Sequence, residues 1–205
     1  MPNLSKEEIR RRFSTSTDFN EIFDAFEEAL AQHIDDIEVY RLLFWNHSLS
    51  PDELCLFGEK LVQEAPPVAY DVYMWLANVF EVTYAMYDNY ELAIEYYKKA
   101  AAVRPQESDP YLDAADCYEP DLNIPPLDVL IDFLKEGLGN LSSGRSVCQR
   151  LSNFYQLAGD LEMSEYYRKK SEEYGVPPDS GHPLPPGKTG KKPPEGEDEI
   201  PPSPS

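Results

Sequence analysis

The chain has 205 residues, with 18 Lys and Arg against 38 Asp and Glu, a net charge of -20. So acidic a surface repels phosphate backbones and anionic headgroups unless its basic residues are segregated, and the one run of three cations, Arg10 to Arg12, directly follows Glu7 and Glu8. General nucleic-acid binding and membrane attachment are therefore excluded, while a hydrophobic fraction of 41% is enough for one sizeable core.

The N-terminus, MPNLSKEEIRRRF, places charges where a signal peptide needs an apolar stretch. No uninterrupted apolar run reaches transmembrane length. Cys55, Cys117 and Cys148 are odd in number, widely spaced and free of any Cys-x-x-Cys, which predicts reduced, mostly buried thiols in a cytoplasmic protein.

In chain order, Ser5 with Glu8 forms a candidate capping box opening a first helix. Thr17 or Asp18 caps a second, with Phe19, Ile22, Phe23, Phe26 and Leu30 at helical intervals. Apolar-periodic segments follow near Asp36 to Asn46 and Asp52 to Glu64, the latter opened by Ser50-Pro51 and stopped by Pro66-Pro67. No stretch shows sustained period-two alternation, so the fold class is all-α.

Downstream the pattern repeats. Tyr84, Tyr118 and Tyr155 are separated by 34 and 37 residues, whereas Ala93, Leu130 and Ser164 are separated by 37 and 34. The three extra residues must lie between Tyr118 and Leu130, in the loop EPDLNIPPLD, whose prolines no helix interior would accept. Each unit reads as helix, tight turn, helix: Trp75 to Tyr87 with Asn89 to Val103, Asp109 to Tyr118 with Leu127 to Leu138, and Arg145 to Ala158 with Leu161 to Tyr174. Large aromatics on one helix oppose Ala, Gly or Ser on the other, as close helix packing requires.

The segments DNYELAIEYYKKAAAVRP and AGDLEMSEYYRKKSEEYG resemble tetratricopeptide repeats (TPR), with Tyr84, Ala93, Tyr97, Ala100 and Pro105 on the family's pattern. The other units depart from it, with Leu130, Leu134 and Gly137 on one second helix and Arg168 in place of an aromatic on the other. The resemblance covers residues 74 to 174 and extends weakly to Asp36. It implies a right-handed superhelix, or α-solenoid, of antiparallel hairpins: about three repeats within 36–175, with residues 1–35 capping the array. Residues 176–205, ten of them Pro and none aromatic, read as a disordered tail. Within that tail Pro183 to Lys188 offers a motif of the kind proline-binding domains read, and a solubilising tether is the plainer reading.

No catalytic constellation is present: His33, His47 and His182 are far apart, and no metalloprotease, nucleophile-elbow, phosphate-loop or dinucleotide motif occurs. Neither enzyme activity nor a cofactor is expected. Asp109, Asp113, Asp116, Glu119 and Asp121 form the densest acidic cluster, read as a solvated face and not as a metal site, since no EF-hand pattern surrounds them.

The family resemblance implies that first helices line a concave groove that binds partners. There the groove residues are Trp75, Asn78, Val82, Ala85 and Met86 in the first unit, Asp109, Leu112 and Asp116 in the second, and Ser146, Gln149, Asn153 and Gln156 in the third. Trp75 has an alternative role packing on the preceding helices. Of the Lys, Asn and Arg pattern with which some relatives grip a peptide carboxylate, only Arg150 is present. The expected partner is a neutral to basic protein segment, and the competing reading is a structural or self-associating subunit, a homo-oligomer.

Overall fold

The computed structural model describes residues 4–87 and 89–174, the side chains of 84–87 excepted. Among the described residues ten α-helices run in chain order: α1 (Lys6–Thr15), α2 (Phe19–Ala31), α3 (Ile37–Phe44), α4 (Pro51–Glu64), α5 (Ala69–Tyr87), α6 (Tyr90–Val103), α7 (Asp109–Asp116), α8 (Leu127–Leu138), α9 (Arg145–Leu157) and α10 (Leu161–Glu173). The Pro-rich tail, with Pro183 to Lys188, and the side chains of Tyr84, Ala85, Met86 and Tyr87 lie outside the described residues.

Local chemistry sets the boundaries. Ser50 caps α4 with a complete box, its hydroxyl accepting from the Glu53 amide while the Glu53 carboxylate accepts from the Ser50 amide. At α1 only half the box forms: Ser5 accepts from the Glu8 amide, but the Glu8 carboxylate turns to Arg11 and Arg12. Asp18, not Thr17, caps α2. α5 begins six residues before the expected Trp75, because the prolines at 66 and 67 form a 3-10 turn, Pro66–Val68, that leads straight into the next helix. The predicted insertion is a tight loop in which Glu119 and Ile124 exchange backbone hydrogen bonds and Asn123 takes a left-handed conformation, φ 51°. The Asn123 side chain accepts from Tyr118 Oη and from the Leu127 amide at the start of α8.

Successive helices pair as hairpins, α1 with α2, α5 with α6, α7 with α8 and α9 with α10, while α3 and α4 fill the place between the first two of these pairs. The pairs stack. First helices meet their counterparts, α1 on α3, α3 on α5 and α7 on α9, while the second helix of one pair packs on the first of the next, as α4 does on α5, α6 on α7 and α8 on α9. This is an all-α helical-repeat solenoid with one continuous core. α1 and α2 take part in the same stacking as the rest, α1 on α3 and α2 on α4. Phe26 of α2 meets Tyr40 of α3 and Phe57 of α4 edge to face. Asn46, buried after α3, donates to the carbonyls of Phe13 (2.8 Å) and Ser16 (3.0 Å) at the end of α1, tying α3 to the first hairpin.

The seams within hairpins follow the aromatic-against-small rule. Tyr111 of α7 lies so close over Gly137 of α8 that a methyl group there would fall 2.5 Å from the ring. In α9 and α10 the small residues are Ser152 and Ser164, with Ser152 Oγ donating to the Ser164 carbonyl at 2.8 Å. An exposed helical Gly→Ala gains about 1 kcal/mol from propensity, but overpacking costs about 1–3 kcal/mol, so the clash decides the sign at Gly137. We predict that Gly137→Ala lowers unfolding stability in urea by about 1–2 kcal/mol, whereas Gly139→Ala, where the nearest atom is 3.9 Å away, stays within about 0.5 kcal/mol of the wild type. Equal behaviour of the two variants would contradict this packing.

Candidate interaction surface

The first-helix side of the stack is built by α3, α5, α7 and α9, and the predicted groove residues distribute over it unevenly. On α5 the inward stripe, where it is described, is Ala77 and Phe80, both fully buried. Trp75, just before that stripe, is half-buried with its ring 6.2 Å from Phe44 of α3, so it serves as packing between neighbouring first helices. Asn78 is also committed: its amide nitrogen donates to the Met74 carbonyl one turn back, at 2.6 Å. Val82 is 68% exposed. Met86 falls among the side chains outside the described residues.

Leu112 and Asp116 of α7 come together with Gln149 and Asn153 of α9, and with Asp113, Ser146 and Arg150, around a depression of about 470 Å³. Asp109 is exposed at the start of α7 but does not line that depression. Gln156 sits beyond it, in a second depression of about 610 Å³ between α9 and α10 that Gln149 and Asn153 share with Arg145 and Ser164. The predicted groove residues thus separate into a polar α7 and α9 site, an exposed position on α5, the packing residue Trp75, and Asn78, bonded to its own helix.

Electrostatics sharpen this division. Arg150 is ion-paired with Asp116 across the two helices, so the one cation matching a carboxylate grip is already engaged. Glu81 of α5 accepts a 2.7 Å hydrogen bond from Tyr97 Oη. Among the described residues no cation pairs with Glu81, Asp109 or Asp113. Partial burial, and then the fields of Asp109, Glu81 and Asp116, push the Asp113 carboxyl up to about 6. Burial, and then the same acidic surroundings, raise the Cys117 thiol. Cys55, Cys117 and Cys148 are all free thiols, with Cys148 buried and the other two half-buried.

Sequence reasoning missed two contributors. Trp45, just past the end of α3, is 39% exposed beside Val82 in a cleft between α3 and α5, whereas periodicity ran the helix through it to Asn46. Glu81, one residue past the buried Phe80, carries no sequence signal of its own, and only the folded chain brings it near enough to add to the field at Asp113. Among the described residues no group of three His, Cys, Asp or Glu is placed to hold a metal, and no helix is long and apolar enough to cross a membrane.

Because Asp113 binds its proton more tightly folded than unfolded, its contribution is favourable at low pH and is lost as pH rises from about 4 through about 6. The full shift would exceed about 2 kcal/mol, but the carboxyl is half exposed and screened, which leaves about 1 kcal/mol. We predict that Asp113→Asn is about 1 kcal/mol more stable than the wild type at pH 7.5 in urea unfolding and equal to it at pH 4. A less stable variant at pH 7.5 would contradict the assigned charge environment.

No protein-family model matches the chain, and no curated protein matches it. Solved structures do. A crystal structure of MamA is 18% identical, covering 77% of this chain and 89% of that chain with a TM-score of 0.47. A second MamA structure is 19% identical, covering 82% and 89% with a TM-score of 0.48. The TPR protein TTC0263 of Thermus thermophilus is 19% identical, covering 83% and 91% with a TM-score of 0.45. All three TM-scores lie below 0.5, and the architecture, a stack of antiparallel helical hairpins, is given by the helix pairing of this chain itself.

Proposed function

We propose that the chain is a non-catalytic interaction scaffold, cytoplasmic in location, that holds a segment of a partner protein on its first-helix face. The observation that carries this reading is the α7 and α9 depression. Gln149 and Asn153 stand exposed at its wall beside half-buried Leu112 and the Asp116 to Arg150 pair. Carboxamides can donate to and accept from a peptide backbone at once, which a surface made only of carboxylates cannot do. With Arg150 engaged and Asp113 beside it, the surface favours a neutral or basic segment over a free carboxylate.

Self-association is the second reading, supported by the exposure of Leu157 (59%), Leu161 (69%) and Tyr166 (51%) on the last hairpin. One capture experiment separates the two. The full chain and its Gln149→Ala/Asn153→Ala variant serve as baits in native lysate, with bound proteins quantified by mass spectrometry. The groove reading predicts a protein reduced at least tenfold on the altered bait and retained within twofold on Asn78→Ala, whose amide already serves its own helix. Identical sets on all baits would sink the groove reading, and enrichment of the chain's own copies alone would favour self-association.

A further inference from the structure

Residues of the same first-helix face, running from the α3 and α5 side to Asp113 at the edge of the polar depression, carry a more specific recognition chemistry. α3 ends at Phe44, whereas α5 continues to Tyr87, so the last turns of α5 stand beyond their neighbour. The step leaves a cleft of about 130 Å³ lined by Trp45, Leu49, Leu54, Phe80, Val82 and Thr83, among others. Small-molecule pockets begin at about 300 Å³, so this cleft is the size of one side chain and not of a cofactor. Its floor holds the fully buried Phe80 ring, Asn46 and His47 add polar edges, and its mouth exposes both Trp45 (39%) and Val82 (68%). A single well-seated anchor of this kind is where binding energy concentrates in a protein interface.

The next residue along α5 from Phe80, Glu81, points the other way, toward α7, where its field reaches Asp113. Glu81, Asp109 and Asp113 have no cationic partner among the described residues. A cleft at Val82 on one flank of α5 and an acidic patch that begins at Glu81 on the other are therefore separated by about the width of that one helix, about 10–12 Å. An extended chain spans that distance in about three residues.

We propose that this face reads a two-point motif in its partner: a bulky apolar side chain seated in the α3 and α5 cleft, and a lysine or arginine about three extended residues away against Glu81, Asp109 and Asp113. The proposal rests on the groove reading above and adds the partner's chemistry to it. The apolar point supplies affinity through burial, and the basic point supplies register and a salt-dependent on-rate.

The test is a displayed library of random 12-residue peptides selected against the full chain, followed by affinity measurements on capped synthetic versions of the winners. The expected result is enrichment of Leu, Ile, Met or Phe with Lys or Arg two to four residues away. Binding should fall at least tenfold with Val82→Gln, about fivefold with Asp113→Asn, and severalfold between 50 and 300 mM salt. Val82 is exposed and Asn is isosteric with Asp, and circular dichroism checks that both variants fold. Winners without basic residues, or winners indifferent to both substitutions, overturn the two-point motif. If such winners are still lost on Gln149→Ala/Asn153→Ala, the groove reading survives its failure. If that variant also binds them unchanged, or no peptide is selected by a monodisperse monomer or by a self-associated chain, both fall.

Discussion

The stack of described helices depends on the second helix of one hairpin lying against the first helix of the next. That contact recurs as α4 on α5, α6 on α7 and α8 on α9, and with it α3 lies beside α5 and α7 beside α9. Helices approach that closely only when one partner of each seam is small. Between hairpins Gly58 of α4 meets the requirement, since a methyl group there would clash with Leu76 of α5. Within hairpins Gly137 under Tyr111 meets it by absence of a side chain, and Ser152 beside Ser164 by a hydroxyl that satisfies a carbonyl while taking little space. The repeat is therefore maintained in geometry while its residues differ from unit to unit.

Much of this was legible in the sequence, because helix periodicity and proline placement act locally. The paired spacings of 34 and 37 residues located the insertion between Tyr118 and Leu130, and the structure closes it with Asn123. Local signals failed where tertiary neighbours decide. Pro66-Pro67 marks a break in sequence, yet only the packing of α4 on α5 makes the connection short enough for α5 to start at Ala69. Likewise, periodicity identifies which face of α5 is not buried against α6 but not what stands opposite. Trp75 and Asn78 fall on the groove side of that face by arithmetic; Phe44 of α3 makes Trp75 a packing residue, while Asn78 turns its amide nitrogen to the Met74 carbonyl of its own helix.

The candidate site shows the same limit. Gln149 and Asn153 were identifiable as exposed positions one turn apart on α9, and they do line a depression with Leu112 and Asp116. The state of Asp113 was not legible, since it needs Glu81 from a neighbouring hairpin in addition to its own helix. Acidic composition alone reads as a solvated face. Half-burial of one carboxyl among three others is a different physical situation, in which a partner's cation relieves repulsion already present in the folded chain.

The claim at the centre of this account is that α3, α5, α7 and α9 form the working surface. Backbone amide shifts in the NMR spectrum of the full chain, followed during titration with the tightest-binding segment found, test it most directly. The account predicts that the largest shifts fall within residues 79–83, 112–116 and 146–153, leaving α6, α8 and α10 nearly unmoved. Shifts concentrated on α10 and the turn from Leu157 to Leu161 would contradict it and assign binding to the end of the stack.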